Sequence, residues 1–194
     1  MADKSHEEKQ EQYLTPMFLA PCGRWYPGAH QRYGSFADHE ARQAFFDLIC
    51  QESPESVLDV GCGKGQDSKH IMELGVRYTG VDPIISNIEY ARKRYPDADF
   101  KLGFIQELPL EDNSFDWVWL MGVLRYVRED QLKTGIHECA RVARKRIYIC
   151  QSSRESIPTL DKYLDAAEGF SFKIWKVSQH HSKDIEYRMW EIIL

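Results

Sequence analysis

The residues whose types and spacing could do chemistry lie in one short stretch, VLDVGCGKGQD. It holds an acid, Asp59, inside an apolar run and then glycines at alternate positions, Gly61, Gly63 and Gly65. Glycines between a strand and a helix let the backbone approach a ligand closely, because no Cβ stands in the way. The helix that follows offers unpaired backbone N–H groups. The pattern therefore indicates a site for a nucleotide or a similar cofactor.

Spacing distinguishes the nucleotide motifs that compete for this stretch. The dinucleotide fingerprint is G-x-G-x-x-G, whereas here Gln66 stands where its last glycine would be. A phosphate-binding P-loop has Ser or Thr after its lysine, and Lys64 is followed by Gly65. The spacing thus disfavours NAD and nucleoside triphosphates, and a tight turn without a ligand stays open as the alternative.

The stretch resembles motif I of the class I S-adenosylmethionine-dependent methyltransferases, D/E-x-G-x-G-x-G. Further resemblances follow in order: GVDP after the second predicted strand, LPLEDNSFDWVW entering the fourth, and HECARVARKRIYI leading into the fifth. The likeness runs from about Phe45 to Leu194 and is closest to small, single-domain members of types 11 and 25. It implies methyl transfer with S-adenosylmethionine as the cofactor.

The resemblance also implies which residues bind the cofactor. Asp59 would meet the ammonium group, Asp82 the ribose hydroxyls, and Ile84 the adenine face. Near Ile105, backbone N–H groups and a polar side chain would read the adenine edge. Where the family pattern has G-D-A-E, this chain has GFIQ, so Gln106 is the substitute candidate for the adenine amine. The implied set is Asp59, Gly61, Gly63, Gly65, Asp82, Ile84, Ile105, Gln106 and Met121.

Candidates for the side of the methyl acceptor follow the later strands or precede the first. A general base is needed only if the acceptor keeps its proton near neutral pH, so no residue is assigned as catalytic. An exposed charge at a helix start stays open for Arg125, and a polar turn for the histidines. The catalytic candidates are Arg125, Tyr126, His180, His181 and Tyr26, with Arg24, Trp25 and Tyr33 as further acceptor contacts.

The elements that must position these residues alternate regularly after Pro54. Apolar runs predict seven strands: SVLDVG, RYTGVDP, DFKLGF, FDWVWLMG, RIYICQS, FSFKIWKVS and DIEYRMWEIIL. Helical segments between the first five imply a parallel sheet with helices on both faces. The predicted fold is α/β, a Rossmann-like, doubly wound, seven-stranded and mostly parallel sheet with an antiparallel C-terminal hairpin strand.

Two domain ranges follow from this pattern. Residues 36–194 form the predicted methyltransferase domain, opening with a helix whose stripe carries Phe45, Phe46, Ile49 and Cys50. Residues 1–35 form an N-terminal covering segment, in which the first dozen residues are interpreted as a frayed tail. The aromatic-rich part from Tyr13 to Tyr33 is hypothesised to be a lid.

The composition limits where the protein is expected to be located and which partners it is expected to bind. The chain has 194 residues and a net charge of -5; it shows no apolar run of membrane-spanning length and no secretory h-region. Its five cysteines form no C-x-x-C pair, so neither a metal site nor a disulfide framework is predicted. These features predict a cytoplasmic protein without a membrane partner.

The acceptor class is predicted from the small size and acidic balance. The only dense basic stretch, RVARKR, is interpreted as a solvated helix end, with a nucleic-acid patch as the alternative. A small-molecule acceptor is expected: a metabolite, sugar or natural-product intermediate. Alternatives are a protein or RNA methyltransferase that needs a partner, and a protein that binds S-adenosylmethionine without turnover.

Overall fold

A seven-stranded sheet organises the chain. The structure, a computed structural model, describes residues 5–13, 36–152, 162, 165–180 and 185–194. The strands are β1 Ser56–Val60, β2 Arg77–Asp82, β3 Asp99–Leu102, β4 Phe115–Met121, β5 Ala143–Ser152, β6 Ser171–His180 and β7 Ile185–Ile193. The helices are α1 His6–Tyr13, α2 Phe36–Glu52, α3 Ser68–Glu73, α4 Ile85–Arg94 and α5 Leu132–Val142, with 3-10 turns at Leu124–Tyr126 and Glu129–Gln131.

The strand order is β3-β2-β1-β4-β5-β7-β6. Strands β1 to β5 pair in parallel, and β7 runs antiparallel to both β5 and β6. The predicted fold class is confirmed. The carboxyl ends of β1 to β5 share one edge, and the order reverses between β1 and β4, which is where open α/β sheets bind ligands.

Both faces of the sheet are covered, which explains the continuous apolar runs of its strands. Helices α2, α3 and α4 cover one face, where Phe45 stacks on Trp119 with ring centroids 4.1 Å apart. Helix α5 covers the other with its stripe of Leu132, Ile136 and Val142. On α2, Phe45 and Ile49 are buried as predicted, but Cys50 is exposed because it lies one residue beyond the buried stripe.

Only Arg141 and Val142 of the basic stretch lie at the end of helix α5, so its interpretation as a helix end is wrong for the residues from Ala143 to Arg146. Strand β5 begins at Ala143 and includes them. Arg144 and Lys145 both pair with the buried carboxylate of Asp116, at 2.9 and 3.2 Å. Arg146 pairs with Glu191 at 2.8 Å. These acids offset the positive charge of the stretch and hold it in the strand.

The N-terminal residues that the structure describes are not a frayed tail, and that prediction is wrong. Helix α1 lies at the carboxyl edge of the sheet, because aromatic and polar contacts anchor it there. His6 Nε2 donates to the Pro83 carbonyl at 2.8 Å, and Lys9 pairs with Glu107 at 2.7 Å. The carbonyl of Tyr13 accepts from the Arg128 N–H at 3.1 Å.

Other predictions fall outside the described residues. They include most of the hypothesised lid, with Arg24, Trp25, Tyr26 and Tyr33, and His181 of the hairpin. The division at residue 35 and the lid therefore stay predictions.

Candidate cofactor site

The alternating glycines are required by the backbone of the loop after β1. Gly61, Gly63 and Gly65 have φ values of 75°, 55° and 75°, in the left-handed region that favours glycine. The N–H groups of Gly61 and Cys62 donate to the carbonyl of Val81, at 2.7 and 3.1 Å. The loop therefore folds back from the end of β1 onto the end of β2, at the carboxyl edge of the sheet.

Two of these glycines are also needed for close packing. A Cβ built on Gly61 would lie 2.5 Å from Cγ2 of Val123, in the segment after β4. A Cβ on Gly65 would lie 2.6 Å from the ring of Phe100 in β3. The loop therefore packs closely against the elements on both sides of it, and the predicted approach of its backbone to a ligand stays a prediction.

Asp82 ties the glycine loop to the second strand and to helix α4. One carboxylate oxygen accepts from the Gly63 N–H at 2.9 Å. The other accepts from the Ile84 N–H at 2.9 Å and from Asn87 Nδ2 at 3.0 Å. A carboxylate has about four acceptor positions, and these three donors within the chain occupy three of them. The predicted ribose acceptor is first of all the anchor of the loop.

Burial and these donors act in opposite directions on Asp82. Burial raises the pKa of its carboxyl group, while the bonds from Asn87, Ile84 and Gly63 lower it, and the balance is a raised pKa. The charged form is stabilised by local donors rather than by a cation.

A second buried acid, Asp59, lies on the face covered by α2. Its Oδ2 accepts from the Tyr78 hydroxyl at 2.8 Å. Burial, followed by repulsion from Asp67, raises the pKa of Asp59 to about 8. Burial likewise raises the pKa of Tyr78 well above its ordinary value. Burial thus favours the protonated form of Asp59, whereas a cation placed beside it would favour the charged form.

Asp67 completes an acidic cradle at the start of α3. Its Oδ1 accepts from Arg42 Nε of α2 at 2.7 Å, and its Oδ2 from Trp119 Nε1 of β4 at 3.3 Å. Sequence reasoning missed Asp67, Arg42, Tyr78 and Asn87. The position of Asp67 two residues after the last loop glycine was an available signal, whereas the pairing with Arg42 depends on the fold.

The predicted adenine contacts lie at the ends of β2 and β3. The Gly103 N–H donates to the carbonyl of Asp82 at 3.2 Å, which holds the loop after β3 beside that acid. Ile84 is half-buried there. The side chain of Ile105 is in the core, against Gly135, so its backbone alone is left for a ligand. Gln106 is buried and points to α1, donating to the carbonyl of Tyr13 at 3.3 Å.

The acceptor-side candidates are only partly brought together. Met121 ends β4, and the turn after it holds Arg125 and Tyr126, whose side chains share a 2.7 Å hydrogen bond from Nη2 to the hydroxyl. His180 ends β6 at the same edge, but β7 and β5 separate it from β4. Three strand spacings are about 14 Å. The arrangement separates His180 from the Arg125–Tyr126 pair.

The described part of the chain has neither a metal-binding cluster nor a membrane-spanning helix. No group of three or more His, Cys, Asp or Glu side chains there could hold a metal ion. No helix in that part of the chain has the length and apolar character needed to cross a membrane.

Comparisons with known proteins find methyltransferases similar to this chain. A family model described as "Methyltransferase domain" matches residues 57–146. The chain is 32% identical over 121 residues to a probable S-adenosylmethionine-dependent methyltransferase from Mycolicibacterium smegmatis, covering 62% of this chain and 46% of the relative. It is 32% identical over 103 residues to a demethylmenaquinone methyltransferase from Renibacterium salmoninarum, covering 53% and 43%. This chain thus spans less than half the length of these two relatives.

The fold has solved counterparts. A magnesium protoporphyrin IX methyltransferase from Synechocystis PCC 6803, solved with bound S-adenosylmethionine, superposes with a TM-score of 0.70 at 16% identity, over 100% of this chain and 99% of that one. The whole described architecture, from the N-terminal helix to the terminal hairpin, therefore has a precedent.

Proposed function

We infer that this chain, which belongs to the class I S-adenosylmethionine-dependent methyltransferase superfamily, binds S-adenosylmethionine at the carboxyl edge of its sheet and methylates a small organic acceptor. The glycine loop carries the proposal. All three of its glycines have positive φ, and it is bonded to the end of β2 where the strand order reverses.

The residues of the site fit this cofactor electrostatically. Three buried carboxyl groups, Asp59, Asp67 and Asp82, lie along the loop, and Arg42 pairs with one of them. S-adenosylmethionine carries positive charge on its sulfur and its amino group, which the acidic cradle would favour. Asp59 is the group that would meet the amino group, and Arg42, which pairs with Asp67, would offer a cation to the carboxylate of the cofactor.

The cofactor supplies a methyl group that is already activated by a positive sulfur. The chain has to bind it, hold the acceptor in line and exclude water. The glycine loop and Asp82, which are bonded to each other through the Gly63 N–H, would hold the cofactor. Arg125 and Tyr126, in the turn after β4, would contact the acceptor, and the hydrogen bond between their side chains orients the guanidinium.

A small acceptor is supported by the relatives. One is named for demethylmenaquinone, and the basic stretch that could have met a nucleic acid is paired with acids. A protein or RNA acceptor and binding without turnover are the alternatives that the experiment must separate.

The test uses purified protein, S-adenosylmethionine and cell extract divided by a size filter. Release of S-adenosylhomocysteine with the small-molecule fraction alone is expected. Release that needs the large fraction, and is lost after protease or nuclease treatment, would assign a macromolecular acceptor. Calorimetric binding without release in either fraction would assign a non-catalytic binder. Heat with NAD and none with S-adenosylmethionine would overturn the family-based function.

A further inference from the structure

Strand β5 carries, next to its last residue, a buried amide whose polar atoms are not used. Gln151 is 4% exposed. Neither its Nε2 nor its Oε1 has a hydrogen-bond partner in the part of the chain that the structure describes. Buried polar side chains are normally paired, and an unpaired one destabilises the fold. Both functions of this amide are thus left for a ligand.

The pleat of the strand fixes the face on which Gln151 lies. Ile147 and Ile149 belong to the core on the α5 face of the sheet, and residues two apart in a strand share a face. Gln151 continues that row to the carboxyl edge. Arg188 lies opposite it on β7, yet no hydrogen bond joins the two side chains. The amide therefore lies where the α5 face meets the carboxyl edge.

The end of β4 leaves room next to this position. The Gly122 N–H donates to the carbonyl of Cys150, the residue before Gln151, at 2.8 Å. No described atom lies within 4 Å of a Cβ built on Gly122. The turn that carries Arg125 and Tyr126 begins two residues later. A molecule that reaches the end of β4 would thus have the strand of Gln151 directly beside it.

The distance from the glycine loop assigns Gln151 to the acceptor rather than to the cofactor. The loop follows β1, and β4 lies between β1 and β5. Two strand spacings are about 10 Å, whereas β5 is one spacing from β4. A cofactor held by the loop would direct its methyl group toward the end of β4, so Gln151 lies on the far side of that strand.

We propose that Gln151 binds the methyl acceptor and selects one whose polar group presents a hydrogen-bond donor and an acceptor side by side. A carboxamide, a lactam, or a hydroxyl next to a carbonyl does so. An amide offers N–H and oxygen in one plane, so such a group satisfies both functions at once. An acceptor that lacks either function leaves a buried polar atom unpaired, which weakens its binding. The inference rests on the proposed function, since it names the chemistry of the small acceptor.

The first test uses Gln151→Met, which keeps the length of the side chain without polar atoms. Release of S-adenosylhomocysteine is measured while the small-molecule fraction of cell extract is diluted. The amount of that fraction needed for half of the maximal rate should rise about tenfold. Calorimetric affinity for S-adenosylhomocysteine should be unchanged. The melting temperature should rise by about 2–4 °C, because an unpaired buried amide has been removed.

The second test addresses the chemistry of the acceptor with two small inhibitors. Acetamide carries a donor and an acceptor side by side, whereas N,N-dimethylacetamide lacks the donor. Acetamide should inhibit methyl transfer by the wild type more strongly, and Gln151→Met should respond to both compounds alike. Equal inhibition of the wild type by the two compounds would overturn the proposed selection.

Gln43→Met is the matched control, because Gln43 is exposed on α2 and bonds Asp47; it should change none of these measurements. A melting temperature of Gln151→Met below that of the wild type would assign the amide to the fold and overturn the proposal. An unchanged dependence on the extract fraction would also overturn it. If the wild type binds S-adenosylhomocysteine but releases none with the small-molecule fraction, the proposed acceptor class itself fails, and this inference falls with it.

Discussion

Buried acids around the glycine loop set the chemistry at the scale of single residues. Asp59 and Asp82 both have raised pKa values, and in each case burial is the leading cause. They differ in their partners, because Asp82 has three donors and Asp59 has the hydroxyl of Tyr78. The donors to Asp82 fix it in the loop structure. Asp59, with the hydroxyl of Tyr78 as its partner, is the acid whose protonation is more open to change.

The proton on Asp59 predicts a pH dependence of stability. Its folded pKa is about 8, and its unfolded value is about 3.9. Between these values the folded state holds a proton that the unfolded chain has lost. This group therefore makes the free energy of unfolding fall as pH rises from about 4 to about 8, by up to ~1.4 kcal/mol per pH unit. Asp59→Asn keeps an acceptor for Tyr78 and should flatten the slope.

Urea unfolding at several pH values between 5 and 8 measures that slope. The comparison is between the wild-type and Asp59→Asn slopes, because other groups contribute equally to both. Parallel slopes would show that Asp59 is ionised in the free protein.

Asp82→Asn should lower stability and cofactor affinity together. An amide offers one acceptor oxygen to the three donors that converge on Asp82. At least one buried N–H then faces an NH₂ group, which costs about 1–3 kcal/mol. Thermal unfolding and titration with S-adenosylhomocysteine report the two effects. A lowered affinity at an unchanged melting temperature would instead fit a side chain that serves the ligand alone.

At the scale of elements, the site depends on contacts between loops that are distant in the sequence. The loop after β1 touches the segment after β4 at Val123, and α1 rests on the loop after β3 at Phe104. These contacts bring together the glycine loop, the loop after β3 and the turn after β4.

Gly61→Ala should destabilise the protein for two separable reasons. The added methyl would meet Val123 Cγ2 at 2.5 Å, and the residue would keep a φ of +75°. Adding Val123→Ala removes both close Cγ atoms and should recover the steric part. Gly75→Ala has a φ of +81° and nothing within 4 Å of its Cβ, so it measures the backbone part alone. We expect the backbone part to lower the free energy of unfolding by about 1–2 kcal/mol. Equal losses for Gly61→Ala and Gly75→Ala in urea unfolding would argue against the close contact.

Phe104→Ala should release α1 from the sheet edge. The ring is 2% exposed and lies against His6 and Tyr13, so its loss removes the apolar anchor of an otherwise polar helix. Amide exchange of residues 6–13 should become faster while the exchange of β1 and β4 is kept. Exchange that speeds up equally in all three elements would indicate global destabilisation instead.

Local patterns explain which parts of this architecture the sequence could predict. The strands follow from apolar runs, and the glycine loop from glycines that a tight turn with positive φ values requires. Helix α1 could not be predicted in this way, because its eight residues, HEEKQEQY, lack an apolar stripe and its anchor Phe104 is distant in the chain. Strand β5 also begins earlier than the sequence predicts, at Ala143. Its cations Arg144 and Lys145 are neutralised by Asp116, which is likewise distant in the chain.

At the scale of the whole molecule, the two edges of the sheet have different tasks. The carboxyl edge carries the candidate site. At the amino edge, the buried Asp116 accepts from the Glu55 N–H at 2.8 Å and from Arg144 Nε at 3.0 Å. Burial acts to raise the pKa of Asp116. The hydrogen bonds from Glu55, Lys145 and Arg144 outweigh burial and hold this pKa below its ordinary value. At the amino edge, Asp116 therefore has a structural role, because it joins Glu55, Arg144 and Lys145.

Asp116→Asn should therefore lower stability without changing cofactor affinity. A loss of about 1–3 kcal/mol is expected at neutral pH, because a charged acceptor with several donors is replaced by an amide. The lowered folded pKa means that the wild-type advantage is present above about pH 4 and is lost as pH falls through the folded pKa. Asp130→Asn, at an exposed pair with Arg128, is the control and should change stability little. A weakened affinity in Asp116→Asn would show that the two edges are coupled.

The place of β7 has a consequence for how the protein is made. Strand β7 lies between β5 and β6, so β6 joins the sheet through β7. A nascent chain that has already formed β1 to β5 must leave the outer edge of β5 open until residues 185–193 emerge. An open edge of this kind is a template for pairing with other chains. The hairpin of β6 and β7 can form within microseconds, so it would dock as one unit and close that edge in a single step. Between the synthesis of β5 and that of β7, the nascent chain thus has an additional open edge at which aggregation can begin.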